Sequence, residues 1–189
     1  MFHRLVFSRL VSHRLVFHRL LLGFFFAAGI LLGAGSAGAH VTLETKEARI
    51  GSSYKAVLKV PHGCDGSATI SLTVQVPEGV IDVKPMPKPG WTLRTEGGQY
   101  RKAHRHRGAT LTEGVTKVVW SGGKLPDAYY DEFVFIAALA DDLEPGTIYL
   151  PVVQECEKGV QRWIETPAPD RPDAELREPA APLKLLPPR

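Results

Sequence analysis

From Val41 to about Glu165 the chain alternates apolar and polar residues in short runs that Gly and Pro keep interrupting, and no stretch carries a helical period. Side chains on a strand point to opposite faces in turn, so runs of this kind fold as half-buried strands. The clearest is Thr69–Val76, where Ile70, Leu72, Val74 and Val76 alternate with Thr69, Ser71, Thr73 and Gln75. Ser53–Val60 does the same, with Tyr54, Ala56, Leu58 and Val60 against Lys55 and Lys59. Val80–Val83 is short and stops at Pro85, Pro87 and Pro89, residues that belong on an edge or in a loop. Further strands are expected at Trp91–Arg94, Val115–Trp120, Asp131–Leu139, Thr147–Gln154 and Val160–Glu165. Pro61-His62-Gly63-Cys64-Asp65-Gly66 reads as a turn and Gly97-Gly98 as a hairpin turn. Arg101–Arg107 reads as a solvated basic loop. Many short strands joined by Gly/Pro turns predict an all-β sandwich in a single domain.

The first 39 residues do not belong to that pattern. A basic region is followed by the apolar run Leu20–Leu32, too short at 13 residues to cross a bilayer, and by Ala37-Gly38-Ala39. Small residues at Ala37 and Ala39 are what signal peptidase requires, so residues 1–39 are read as a signal peptide. The repeat of His3-Arg4-Leu5-Val6-Phe7 as His13-Arg14-Leu15-Val16-Phe17 fits a start site placed too early, or else a targeting extension. Four of the 23 basic residues lie in this leader, which has no acid, leaving 19 bases against 20 acids. The formal charge of +3 is therefore a property of the leader, and nothing points to nucleic acid. The expected location is the periplasm. At the other end, residues 168–189 are rich in Pro and in charges, and read as a disordered or loosely docked tail.

Cleavage after Ala39 makes His40 the first residue of the exported chain. A terminal histidine combines an α-amine with an imidazole Nδ1, and the two close a six-membered chelate ring on a metal. The amine titrates near 8 and the imidazole near 6.5, so a metal displaces their protons readily at neutral pH. Two nitrogen donors of this kind suit Cu(II). The plainer reading is that some residue must follow every cleavage site. Both cysteines, Cys64 and Cys156, lie beyond the leader, and in an exported chain they most simply form one disulfide, worth roughly 4 kcal/mol in the chain-entropy model. A soft thiolate metal site is the weaker alternative, since neither cysteine belongs to a C-x-x-C pair. The other histidines beyond the leader are His62, expected to pack locally, and His104 and His106, whose flanking arginines repel a cation. Trp91, Trp120 and Trp163 are expected in the core. No nucleophile elbow, phosphate loop, H-E-x-x-H or EF-hand loop occurs, and the chain is read as a binding protein and not an enzyme.

Taken in order, His40-Val41-Thr42-Leu43, Val60-Pro61-His62-Gly63-Cys64-Asp65-Gly66, Val76-Pro77-Glu78-Gly79-Val80, Pro85-Met86-Pro87-Lys88-Pro89-Gly90-Trp91, Asp131-Glu132-Phe133, Pro151-Val152-Val153-Gln154-Glu155-Cys156 and Arg162-Trp163-Ile164-Glu165 resemble the bacterial YcnI-like envelope proteins. The resemblance covers about residues 40–167. It implies an immunoglobulin-like or cupredoxin-like sandwich that binds Cu(II) through a single-histidine brace, for storage, buffering or delivery to other periplasmic or membrane copper-handling proteins. His40 would supply amine and imidazole, Glu132 an oxygen, and Trp163 a neighbouring indole, with Glu165 and Trp120 as rivals for the last two places. Many relatives are described with a C-terminal membrane span, which Leu183-Lys184-Leu185-Leu186-Pro187-Pro188-Arg189 cannot provide. A copper oxygenase would need a second imidazole from His62, His104 or His106. The alternative of another class is a metal-free sandwich that binds a partner protein or glycan.

Overall fold

The computed structural model describes residues 40–172 and 174–189; the expected signal peptide and its cleavage site lie outside the described residues. Twelve strands and no helix make up the described chain. They are β1 (Thr42–Leu43), β2 (Glu47–Arg49), β3 (Ser53–Val60), β4 (Thr69–Gln75), β5 (Val80–Pro85) and β6 (Thr92–His106). The second half holds β7 (Ala109–Leu125), β8 (Asp131–Leu139), β9 (Gly146–Leu150), β10 (Val152–Cys156), β11 (Val160–Trp163) and β12 (Ala181–Leu186). One main sheet runs β1-β3-β8-β5 and the other β11-β10-β4-β7-β6. Between them lies an apolar core to which the alternating residues of the sequence contribute as expected: Tyr54, Ala56, Leu58 and Val60 from β3, Leu72 and Val74 from β4, Phe133, Phe135, Ala137 and Leu139 from β8. Trp120 is wholly buried there against Phe133, at 5.6 Å between ring centroids. The all-β sandwich is confirmed.

The Cys64–Cys156 disulfide is also present, across a sequence separation of 92. It ties the turn between the two main sheets to the end of β10. That turn is as tight as its glycines suggest: Asp65 and Gly66 take φ of 48° and 82°, and Cys64 and Ser67 bridge across it. A Cβ on Gly63 would collide with the Ser67 carbonyl oxygen, so the residue before Cys64 has no room for a side chain.

Four expectations are corrected. Gly97-Gly98 is not a hairpin turn. It lies within β6, at a register shift opposite Gly114 and Val115, and the chain turns instead at Arg107-Gly108, with φ of 49° and 80°. Glycine there does what a two-residue hairpin needs, but arginine is an unusual partner in that conformation. The basic segment Arg101–His106 is accordingly strand, not solvated loop. The third correction concerns the tail. Ala181–Leu186 is a strand, parallel to β2 and antiparallel to β9, and Ala181, Leu183 and Leu185 are buried in the main core. The expected single strand Thr147–Gln154 divides at Pro151, which has no N–H for a ladder. β9 precedes it and pairs with β12; β10 follows it and pairs with β4. Since β2 follows β1 and β9 precedes β10, β12 bridges the two main sheets along the edge where β1 and β11 lie.

Candidate functional site

That edge carries His40. Val41 and Leu43 are buried and fix β1 against the core, which holds the residue before them at the mouth of the sandwich. Its half-buried ring faces Trp163, with ring centroids 5.3 Å apart and planes tilted by 57°. Trp163 ends β11, pairs with Val152 and is itself buried. The indole is fixed from behind: Nε1 donates to Oε1 of Gln154 at 3.0 Å. The other end of the Gln154 amide donates to the His62 carbonyl and to Oγ1 of Thr69, both at 2.7 Å. Gln154 is 1% exposed, and its bonds to Trp163 and Thr69 are buried. The indole N–H is thus engaged inward.

The structure thus brings His40 and Trp163 together, and it sets Glu132 on another strand. By register Thr42 lies opposite Lys59 and Lys59 opposite Glu132, so Glu132 stands two strands from β1 with a lysine between. Neighbouring strands are about 4.8 Å apart, which makes that separation about 10 Å. Asp131 beside it is the carboxylate with partners: it accepts from Lys88 Nζ at 2.6 Å and from the Glu132 N–H at 2.8 Å. The two rivals have bonds of their own. Trp120 donates Nε1 to the Met86 carbonyl at 3.1 Å inside the core, and Glu165 accepts the N–H groups of Arg177 and Glu178, both at 2.9 Å. Among the described residues no group of three or more His, Cys, Asp or Glu converges to hold a metal. The donors at the mouth are instead the two nitrogens that His40 would offer as a terminal residue. That set fits a Cu(II) ion by its chemistry, and the indole supplies a rigid neighbour.

His104 and His106 lie far from this edge. His104 is completely buried, with Nε2 at 2.8 Å from Glu78 Oε1 and Nδ1 at 3.2 Å from Asp142 Oδ1. Both ring nitrogens face carboxylates. Burial pushes the Asp142 carboxyl up, but Lys102, the Arg105 N–H and His104 outweigh it and hold the group well below the usual range. Glu78 is also lowered: burial opposes, and His104 with the Lys102 and Arg101 N–H groups prevails. His106 Nδ1 is 3.4 Å from Asp141. The distal half of the β6–β7 hairpin is therefore latched onto the rest of the protein by a buried ionic cluster. Nothing near His104 in sequence announces it, because Glu78 and Asp142 lie 26 and 38 residues away. Gln154 was also missed, although it is a polar residue in an inward-facing row with Val152 and Cys156.

No helix among the described residues is long and apolar enough to cross a membrane, a statement that does not bear on β-barrels. None of the curated proteins matches this chain. Among solved structures, an uncharacterized protein from Nocardia farcinica with an immunoglobulin-like fold is similar at 25% identity and a TM-score of 0.57, over 78% of this chain and 98% of that one. A chain of a cohesin–dockerin complex from Clostridium thermocellum, at 10% identity and a TM-score of 0.40 over 78% of this chain and 98% of that one, is too distant to carry an argument. Residues 40–185 match the family described as Domain of unknown function (DUF1775), which is the family of the YcnI-like resemblance, and the chain belongs to it.

Proposed function

We propose that the exported protein, released after Ala39, binds one Cu(II) ion at the mouth of the sandwich and stores, buffers or delivers it in the periplasm. The observation that carries this reading is the His40–Trp163 pair, 5.3 Å apart at the edge where β1 begins. His40 would hold the ion through its α-amine and Nδ1. Trp163, locked by Gln154, would shield one side of the ion and exclude water there. Bound copper supplies a positive charge and a preference for nitrogen donors; the protein supplies their placement. His104 and His106 are engaged by carboxylates in the latched hairpin, and His62 Nδ1 faces the Gly63 carbonyl oxygen, which favours binding through His40 alone over turnover.

His40→Ala keeps an amine but loses the ring, and is expected to abolish tight Cu(II) binding in a chelator competition. Trp163→Phe should leave affinity within about tenfold while changing the visible spectrum of the bound ion, because an indole is a weak donor. Glu132→Gln should change affinity far less than His40→Ala, given its place two strands away. Full Cu(II) affinity in His40→Ala would refute the proposal.

A further inference from the structure

The outer face of the β1-β3-β8-β5 sheet carries residues that the metal site does not use. Paired residues share a face of a sheet. Register therefore sets Lys55, Ile136 and Lys84 side by side across β3, β8 and β5. In the next row Val57 lies opposite Val134, and Met86 joins it by donating its N–H to the Val134 carbonyl at 2.8 Å. The core takes the alternate residues, so both rows lie on the outer side; Val57 and Val134 are covered, at 6% and 7% exposed, while Ile136 and Met86 are each 51% exposed. Lower on the same face, Ile81 and Ala138 are covered by Tyr100 and Leu111 of the latched β6–β7 hairpin. The hairpin turns its own cations outward. Arg101, Arg105 and Arg107 are all exposed. Of the acids beneath, Glu78 and Asp142 are engaged by His104 and Lys102, while the half-exposed Asp141 keeps its charge and accepts from the Arg107 N–H. Arg101 makes one 3.5 Å contact with Glu78 while 84% exposed, and among the described residues no carboxylate pairs with Arg105 or Arg107.

Six cations, Lys55, Lys59, Lys84, Arg101, Arg105 and Arg107, thus frame two exposed apolar side chains. Besides Glu78, Asp141 and Asp142 beneath the hairpin, the acids on this face are Glu44, Asp82 and Glu132, and the Glu44–Lys59 and Asp82–Lys84 pairs are exposed, at 4.0 and 3.4 Å, and weak. The face is positive on a domain whose bases and acids nearly cancel. We infer that it docks onto an anionic phospholipid surface. Each cation near such a surface contributes about 1 kcal/mol, and Ile136 and Met86 reach the boundary between headgroups and acyl chains. A second copy docked face to face would set lysine against lysine, which disfavours a dimer here. The inference does not depend on copper.

The test is sedimentation of the folded unit 40–189 with vesicles of phosphatidylcholine alone, or containing about one third phosphatidylglycerol. The inference requires binding about tenfold or more stronger to the anionic vesicles, weakening as salt rises. Lys55→Glu/Lys84→Glu should remove most of that difference. Lys124→Glu/Lys158→Glu, an equal charge change at the disulfide turn, should leave it. Ile136→Asp should lower binding several-fold, and should that variant not fold, the exposed lysine pair decides. Equal binding to both vesicles, equal damage from the two lysine pairs, or no binding to either vesicle would overturn the inference; the last result would point to an acidic protein as the occupant.

Discussion

Gln154 uses both ends of its amide inside the protein, accepting from Trp163 Nε1 and donating to His62 O and Thr69 Oγ1. Gln154→Leu keeps the volume roughly but strands the buried Trp163 N–H and Thr69 hydroxyl and the partly buried His62 carbonyl, a buried group costing about 1–3 kcal/mol when unpaired. Chemical denaturation of the variant should show a loss of about 3 kcal/mol or more, and a loss below 1 would mean that the network is not what fixes the indole. The inward period Val152-Gln154-Cys156 made this residue findable, since a polar side chain in an apolar row needs partners. His104 was not findable in this way. Its neighbours in sequence are cations, and the carboxylates that bury it arrive from two distant loops. Its cluster has a pH signature whose sign follows from geometry. Glu78 and Asp142 are both lowered in the folded protein, so their contribution to stability is complete above their unfolded value near 4 and is lost as pH falls through the folded values. Unfolding free energy measured against pH should decline below about 4, and less steeply in Asp142→Asn. Identical slopes would show that the latch carries no linkage.

At the scale of elements, β12 changes the account of the domain. Ala181-Pro182-Leu183-Lys184-Leu185-Leu186 does alternate, but the run is short, contains a proline and sits in a Pro-rich segment. Pro182 is tolerated because it faces Tyr149 of β9, while pairing with β2 begins only at Lys184. Leu183 and Leu185 are 0% and 3% exposed, and full burial of a leucine is worth about 1.5–3 kcal/mol. Leu183→Ala should therefore lower stability by about 2–5 kcal/mol, and truncation after Pro167 should cost more and open the edge below His40. A truncated protein with an unchanged melting temperature would show that β12 is dispensable. The strands with strict alternation, β3, β4 and β8, were legible almost to the residue. The long β6–β7 hairpin was not, because Gly97-Gly98 advertises a turn that a register shift absorbs and Arg107-Gly108 hides the real one.

For the whole molecule, the two main sheets are joined by the Cys64–Cys156 disulfide at one end and by β12 along one edge, and the candidate site lies where that edge opens. The sandwich and the disulfide could be read from strand period, turn residues and an even cysteine count. The pairing of His40 with Trp163 could not, because periodicity places residues on faces and does not say which edges of two sheets meet. The family resemblance supplied that pair, together with a carboxylate that the register sets apart. The central claim is that the terminus itself is the ligand, and one titration tests it most directly. Cu(II) is titrated into protein beginning at His40 and into the same protein with one added Gly before His40. The extension keeps the imidazole but removes the free amine from chelating distance. The account predicts one tightly bound Cu(II) per chain for the native terminus and binding about a hundredfold or more weaker for the extended one, since the second nitrogen no longer binds within the same residue. Equal affinity of the two proteins would contradict it.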